Sequence, residues 1–311
     1  NAALAAVYPE GLDALYRGIP SCDERIPYGW TPAGFSPADR FALIRRLRAG
    51  RYDMAVLFPN SFDSALLALA AGIRHRIGYA DHGRGMLLTA GLDKKAAAGL
   101  HQAQKYQRIV EALGDVPAQP LPPFTPASGD VAWALEILKP SDGKPVVALH
   151  PGATYGPTKR WFPERFVDLA RMLVQKGIAQ VIFLGSEKEK AALEPYLHGQ
   201  DFPFADALGK TDLGKLLGLI AHSDVLVCND SGPMHLAGLV GTPAVAIFGS
   251  TDPDATAPLG EHRIVRKPIA CSPCLKRTCA NNGHPFECLD RVDTEEVLAE
   301  VQALLAAKSI T

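Results

Sequence analysis

Residues 229–235, Asn-Asp-Ser-Gly-Pro-Met-His, put a carboxylate, a hydroxyl, a glycine and an imidazole where one apolar run ends and another begins. At such a junction Ser231 and Gly232 offer backbone N–H groups, and a glycine lets a ligand approach closely. Amides at a helix start, together with the helix dipole, make an anion seat suited to a diphosphate. Pro233 and Met234 complete the turn, and His235, within the first helical turn, is placed to donate to the same phosphate. The alternative is an Asp/Ser cap with a satisfied core histidine. A second stretch, 152–161 (GATYGPTKRW), adds hydroxyls at Thr154 and Thr158, two glycines, Lys159 and Arg160. Such a loop wraps phosphate oxygens with backbone donors and neutralises them with the lysine, unless it is only a solvated basic turn. Trp161 is expected to pack at the following helix start. Glu189, four residues past Gly185, is placed to accept hydrogen bonds from ribose hydroxyls, although charges in GSEKEK also suit a plain helix surface. Asp252 and Asp254 flank a proline and read as a turn rather than a metal-binding pair.

The elements that must hold these groups are legible from hydrophobic periodicity. Strands are expected at 145–150, 180–185, 224–230 and 243–249, alternating with helices at 163–177, 211–223 and 233–241. Short, nearly all-apolar strands alternating with helices indicate a parallel sheet covered on both faces. All its strand exits then gather on one edge, where ligands bind. The polar loops lie at those exits and the strand bodies carry no comparable groups. Earlier in the chain, 52–58 reads as a strand and 64–72 and 101–114 as helices. Residues 115–130 hold five prolines and read as a linker. The expected organisation is an N-terminal domain over 1–125, a second domain over 126–292 and a terminal helix within 293–311 that reaches back towards the first domain.

With 311 residues the chain suits two domains, and 32 Lys plus Arg against 33 Asp plus Glu give no global field for nucleic acid or a membrane surface. No run approaches the length of a membrane-spanning helix and no signal peptide is visible, so a cytoplasmic protein is expected. Because the sequence starts at Asn1, we expect that further residues precede it.

Four of the six cysteines, Cys271, Cys274, Cys279 and Cys288, are spaced C-x2-C-x4-C-x8-C. That spacing suits a tetrahedral structural zinc or iron; two disulfides, or four unliganded thiols, are the rivals.

Taken together, residues 57–79 (LFPNSFDSALLALAAGIRHRIGY), 150–170 and 229–253 resemble the ADP-heptose:lipopolysaccharide heptosyltransferases of glycosyltransferase family 9, with FPNSF (58–62) and the PGA-x-x-G-P-x-K-R-W of 151–161 closest to the heptosyltransferase II branch. The similarity runs over nearly the whole chain. It implies an α/β GT-B fold, with two Rossmann-like domains of parallel sheet facing a central cleft. It also implies transfer of L-glycero-D-manno-heptose from an ADP donor to the lipopolysaccharide inner core, with inversion and without a catalytic metal. Carried over by motif, Asp230 contacts the heptose, Ser231 to His235 form the diphosphate seat, Lys159 neutralises phosphate and Glu189 holds the ribose.

Acceptor contacts are expected from the N-terminal domain, with Asn60, Ser61, Arg74, Arg76 and Lys105 as candidates; surface or capping roles suit each equally well. The resemblance puts its catalytic aspartate in a Gly-Asp loop that this sequence does not contain. Residues 1–11 read instead as the end of the helix after that loop, and the strand due after 8–10 is not evident. The catalytic base is therefore unassigned. A protein acceptor, or nucleotide-sugar binding without transfer, are the other functional readings. The enzyme is expected at the cytoplasmic face of the inner membrane. A strand-exit carboxylate adds little to a core, so Asp230→Ala is expected to cost transfer with little loss of folding.

Overall fold

A computed structural model describes residues 2–19, 21–29, 36–114, 124–138 and 143–308. The chain divides into two compact units, residues 1–16 with 20–120 and residues 17–19 with 121–311.

In the first unit the order is β1 (Ala5–Pro9), α1 (Asp13–Arg17), β2 (Glu24–Tyr28), α2 (Pro37–Gly50), β3 (Met54–Leu57), α3 (Phe62–Ala70), β4 (His75–Tyr79), β5 (Ala90–Leu92) and α4 (Gln102–Glu111). β1 and β2 pair in parallel, and β3, β4 and β5 form a second parallel sheet in that order. The start of the chain corrects the sequence reading. Its alanine-rich segment has helical propensity, but pairing of Ala5–Pro9 with Glu24–Tyr28 holds it extended. Pro27 sits within β2, which pairs with β1 alone among the described strands, as suits an edge strand.

The second unit follows the expected rhythm: α5 (Ser128–Leu138), β6 (Val146–His150), α6 (Pro163–Gln175), β7 (Gln180–Phe183), α7 (Glu187–Leu197), β8 (Ala205–Asp206), α8 (Leu213–Ala221), β9 (Val225–Asn229), α9 (Gly232–Val240), β10 (Ala244–Ile247), α10 (Pro253–Thr256), β11 (His262–Val265), α11 (Glu287–Asp290) and α12 (Thr294–Lys308). Six parallel strands run in the order β11-β10-β9-β6-β7-β8. Every residue of β9 and β10 is buried, the signature of a sheet covered on both faces. One core layer joins Val147, Leu149, Val227 and Val245 to α6 and α12; the other joins Ala148, Leu226 and Ala246 to α8 and α9. α12 buries Val297, Leu298, Val301 and Leu304 in that first layer. Of the proline-rich stretch, 115–123 lies outside the described residues, and its end is helical from Ser128 onward.

Sheet order decides where a ligand would sit. From β6 the chain moves outward through β7 to β8, then returns to place β9 on the other side of β6. The exits of β6 and β9 thus flank a topological switch point, where flanking loops part and leave a crevice.

Candidate functional site

Asn229, the last residue of β9, ties the switch point together. Its Oδ1 accepts the Trp161 N–H at 2.9 Å and its Nδ2 donates to the Pro151 carbonyl at 2.7 Å. A fully buried amide with these partners fixes the β6 exit loop against β9. Trp161 is itself fully buried, donating from Nε1 to the Val292 carbonyl at 3.1 Å and meeting Phe166 edge-on, so its expected packing role holds.

One residue further, Asp230 is 4 % exposed, and its Oδ2 receives Lys159 Nζ at 2.5 Å and the Thr251 hydroxyl at 2.5 Å. Lys159 arrives from the β6 exit and Thr251 from the β10 exit, so three adjacent strands deliver one charged cluster. The Lys159 ammonium also lies 4.9 Å from the Tyr155 ring centroid. The expectation that Asp230 is dispensable for folding is corrected here, because removing it strands a mostly buried ammonium. Beside this pair begins α9. Ser231 occupies the N-cap position in extended conformation, yet its hydroxyl turns back to the Asn229 carbonyl at 3.1 Å and no side chain caps the helix. Gly232 is exposed, Pro233 and Met234 are buried, and His235 is exposed. Pro233 has no N–H, so Ser231 and Gly232 supply the amides of the tip.

Glu189 lies at the β7 exit, and its Oε2 accepts from Ser186 N at 2.6 Å and Ser186 Oγ at 2.9 Å, closing a capping box at the start of α7. Its other oxygen faces Gly152, where a Cβ would sit 1.5 Å from Oε1 and 2.9 Å from the His150 ring. Gly152 is thus required by the close approach of the carboxylate. His150, at the end of β6, is 7 % exposed, and its Nδ1 has no hydrogen-bond partner. Burial lowers the His150 pKa, against the opposing pull of the Glu189 charge, with Nε2 4.0 Å from Glu189 Oε2. His150 and Thr251 were not among the expected site residues, and Asn229 was marked only as part of the 229–235 stretch, without a role; the position at a strand exit is the signal all three share.

The two expected threonines separate. Thr154 is exposed, whereas Thr158 is 3 % exposed and donates to the Lys276 carbonyl at 2.6 Å, so its hydroxyl is committed to the protein rather than to a phosphate. That contact is one of several. Tyr155 OH donates to the Leu275 carbonyl at 2.7 Å, Ser272 Oγ to Gly249 O at 2.6 Å, and Leu275 N to Ser250 O at 2.8 Å. Residues 272–276 therefore brace the exits of β6 and β10 together. The cysteines lie in and around this brace. Cys271 is exposed and Cys288 is buried on α11, and all four thiols are free. Burial, then Cys271, Cys274 and Cys279, push the Cys288 thiol up to about 11. Among the described residues no three His, Cys, Asp or Glu side chains are grouped to hold a metal. Cys288 is packed with the hydrophobic core while the other three thiols act on it. Asp252 caps α10, accepting from Asp254 N at 3.1 Å, which bears out the turn.

In the first unit Ser61 caps α3, accepting from Ser64 N at 3.2 Å, and Asn60 Oδ1 is buried with no partner. Arg74 is exposed and Lys105 half-buried. Arg76 departs from expectation. Its guanidinium donates to the carbonyls of Leu87 at 2.6 Å, Ile73 at 2.5 Å and Arg74 at 3.1 Å, a backbone-tying role that occupies it.

The second unit therefore gathers Lys159, Glu189, Asp230 and the start of α9 at neighbouring exits of one parallel sheet. Comparison with known proteins agrees. Glycosyltransferase family 9 (heptosyltransferase) matches residues 40–284. Lipopolysaccharide heptosyltransferase 2 of Escherichia coli K12 is 32 % identical, over 98 % of this chain and 90 % of its own length. The enzyme of the same name from Salmonella typhimurium is 31 % identical, over 100 % and 92 %. The solved structure of E. coli ADP-heptose lps heptosyltransferase II is 29 % identical, with a TM-score of 0.80, covering 99 % of this chain and 91 % of that one. The fold is α/β of the GT-B class, and the chain belongs to glycosyltransferase family 9, the heptosyltransferases.

Proposed function

We propose that this glycosyltransferase moves L-glycero-D-manno-heptose from ADP-heptose to the heptosylated inner core of lipopolysaccharide, with inversion at the anomeric carbon. The observation that carries the reading is the Lys159–Asp230 pair at the β6/β9 switch point, beside a helix start that no side chain caps. In this reading the diphosphate lies against the amides of Ser231 and Gly232. Lys159, with three ammonium protons and one given to Asp230, turns another to a phosphate oxygen. Thr154 and His235 stand at the rim, and Glu189 Oε1 accepts from the ribose. As the acceptor hydroxyl oxygen bonds to the anomeric carbon, the bond from that carbon to the β-phosphate oxygen breaks. ADP leaves with the electron pair. Lys159 and the helix tip stabilise the charge that grows there, and fixed donors do so without reorganising. The hydroxyl proton passes to a base that these residues do not include.

The first unit takes the acceptor, with the Pro59–Ser61 turn at the β3 exit facing it. Because that acceptor is lipid-borne, the enzyme works at the cytoplasmic face of the inner membrane; among the described residues no helix is long and apolar enough to cross it. The names of the E. coli and Salmonella relatives support heptose transfer to lipopolysaccharide, and that of the solved E. coli structure supports ADP-heptose as donor.

The test is ADP release from ADP-heptose with a deacylated, mono-heptosylated inner-core oligosaccharide as acceptor. Lys159→Ala should weaken ADP binding by calorimetry about 10–100-fold, the equivalent of one charge-assisted hydrogen bond of roughly 1.5–3 kcal/mol. Unchanged affinity would remove the lysine from the phosphate site, and no ADP release by the intact chain would remove the function.

A further inference from the structure

Arg84 is the one fully buried charged side chain among the described residues, at 0 % exposure. A turn with Asp81 at its head and two left-handed residues, His82 (φ 49) and Gly83 (φ 74), aims it inward. The guanidinium then bridges two neighbouring strand exits. Nε donates to the carbonyl of Tyr79, which ends β4, at 2.7 Å. Nη1 donates to the Pro59 carbonyl and to the Ser61 carbonyl at 3.3 Å, both in the turn that leaves β3, and to Ser64 Oγ at 3.2 Å in the first turn of α3. Nη2 lies over Gly78, where a Cβ would come within 2.8 Å of it and 2.9 Å of the Leu57 carbonyl, so the glycine admits the arginine.

Among the described residues no carboxylate forms an ion pair with this guanidinium, and Asp81 acts on it only through space. Asp81, the acidic group that acts on it, is engaged by Lys94 and by the His82 N–H. A buried cation held only by neutral oxygens is costly, and a fork of planar donors is the arrangement that makes the cost worthwhile where several carbonyls must be held in register. Of the five buried side-chain polar atoms without a hydrogen-bond partner among the described residues, two, Arg84 Nη2 and Asn60 Oδ1, belong to this one junction. Arg84 fixes backbone on either side of Asn60 while the Asn60 amide oxygen makes no bond among the described residues.

We propose that Arg84 is a positioning residue for the acceptor: it holds the Pro59–Ser61 turn in the one shape that meets the acceptor sugar, and its charge, in contact with neutral oxygens alone among the described residues, biases that turn towards an anionic acceptor. This rests on the proposed function, in which the β3 exit faces the acceptor. Arg84 touches neither substrate; it acts through Pro59, Asn60 and Ser61.

The experiment compares wild type, Arg84→Lys and Arg84→Met with ADP-heptose and the deacylated inner-core oligosaccharide, after circular dichroism and melting confirm folding. Arg84→Met should raise the acceptor KM tenfold or more, with the ADP-heptose KM within twofold of wild type. Arg84→Lys, which keeps the charge but loses the fork, should raise it about threefold and speed amide exchange at residues 60–64. If Arg84→Met does not fold, Arg84→Lys decides. An acceptor KM within twofold of wild type in a folded variant, or donor and acceptor KM values rising together, overturns the proposal. A wild-type chain that releases no ADP refutes the proposed function instead, so the two failures are distinguishable.

Discussion

Asp230→Ala removes the carboxylate that Lys159 and Thr251 share, and its consequence for stability follows from their burial. The side chains of Lys159 and Asp230 are 14 % and 5 % exposed, so solvent screens the pair little. Breaking one partner of a buried pair costs about 3–5 kcal/mol, because the survivor is left desolvated and unpaired. Lys159 keeps some water, which favours the low end, about 3 kcal/mol, and the orphaned Thr251 hydroxyl adds roughly 1 kcal/mol. Replacing both charges, as Asp230→Ala with Lys159→Met, removes the lone cation and should restore about 2 kcal/mol relative to the single variant. Urea unfolding in a Trp30→Phe background lets Trp133 and Trp161, both in the second unit, report on that unit alone. With a slope of about 2–3 kcal/mol per molar urea, the midpoint of Asp230→Ala should fall by more than about 1 M. A loss below about 1 kcal/mol, or a double variant no more stable than the single one, would show that the pair is not the buried unit its geometry implies.

Gly152→Ala adds a methyl 1.5 Å from Glu189 Oε1, so the carboxylate must leave its seat; we expect about 1–3 kcal/mol of destabilisation and weaker ADP binding, measured by melting and calorimetry. Normal values in both would mean that the carboxylate is free to move without cost. His150 has a folded-state pKa lowered by burial, so the unfolded chain binds the extra proton first. Its contribution is therefore complete above an unfolded value of about 6.5 and is lost as pH falls below it, and His150→Gln should flatten urea stability across that acid window. Parallel pH profiles for the two proteins would refute this. Among the thiols, exposed Cys271 should react first with a disulfide reagent at pH 8, while Cys228, fully buried with its pKa raised by burial, should react only on unfolding; equal rates would contradict the packing.

Much of the second unit was legible because β6, β7, β9 and β10 are apolar runs between polar exits, and a strand buried on both faces must be so. α7 was harder to see. Its start carries Ser186 and Glu189 at capping-box spacing, but a largely solvated surface and Pro195 within it blur the helical pattern. The first strand was misread because only its partner, Glu24–Tyr28, decides that Ala5–Pro9 is extended. At the site, the residue types and strand-exit positions of Lys159, Glu189 and Asp230 pointed to one sheet edge, and the structure brings Lys159 and Asp230 into contact there. The role of Thr158 was not legible, since the carbonyl that takes its hydroxyl lies 118 residues away. Arg76 and Arg84 show the same limit. Both are basic residues on the same side of the sequence, yet one laces its own loop together and the other joins two strand exits, and no local pattern separates these fates.

The brace formed by residues 272–276 has no evident chemistry of its own, but it works as a tie-beam across two rims. Tyr155 and Thr158 are anchored to it from one side, Gly249 and Ser250 from the other. Apart from the Ser272 hydroxyl those anchors are backbone atoms of the beam, so its other side chains can be exchanged while its length cannot. Deleting a single residue would draw both rims out of register at once, and evolutionary drift in this stretch should therefore show as altered letters at a constant count.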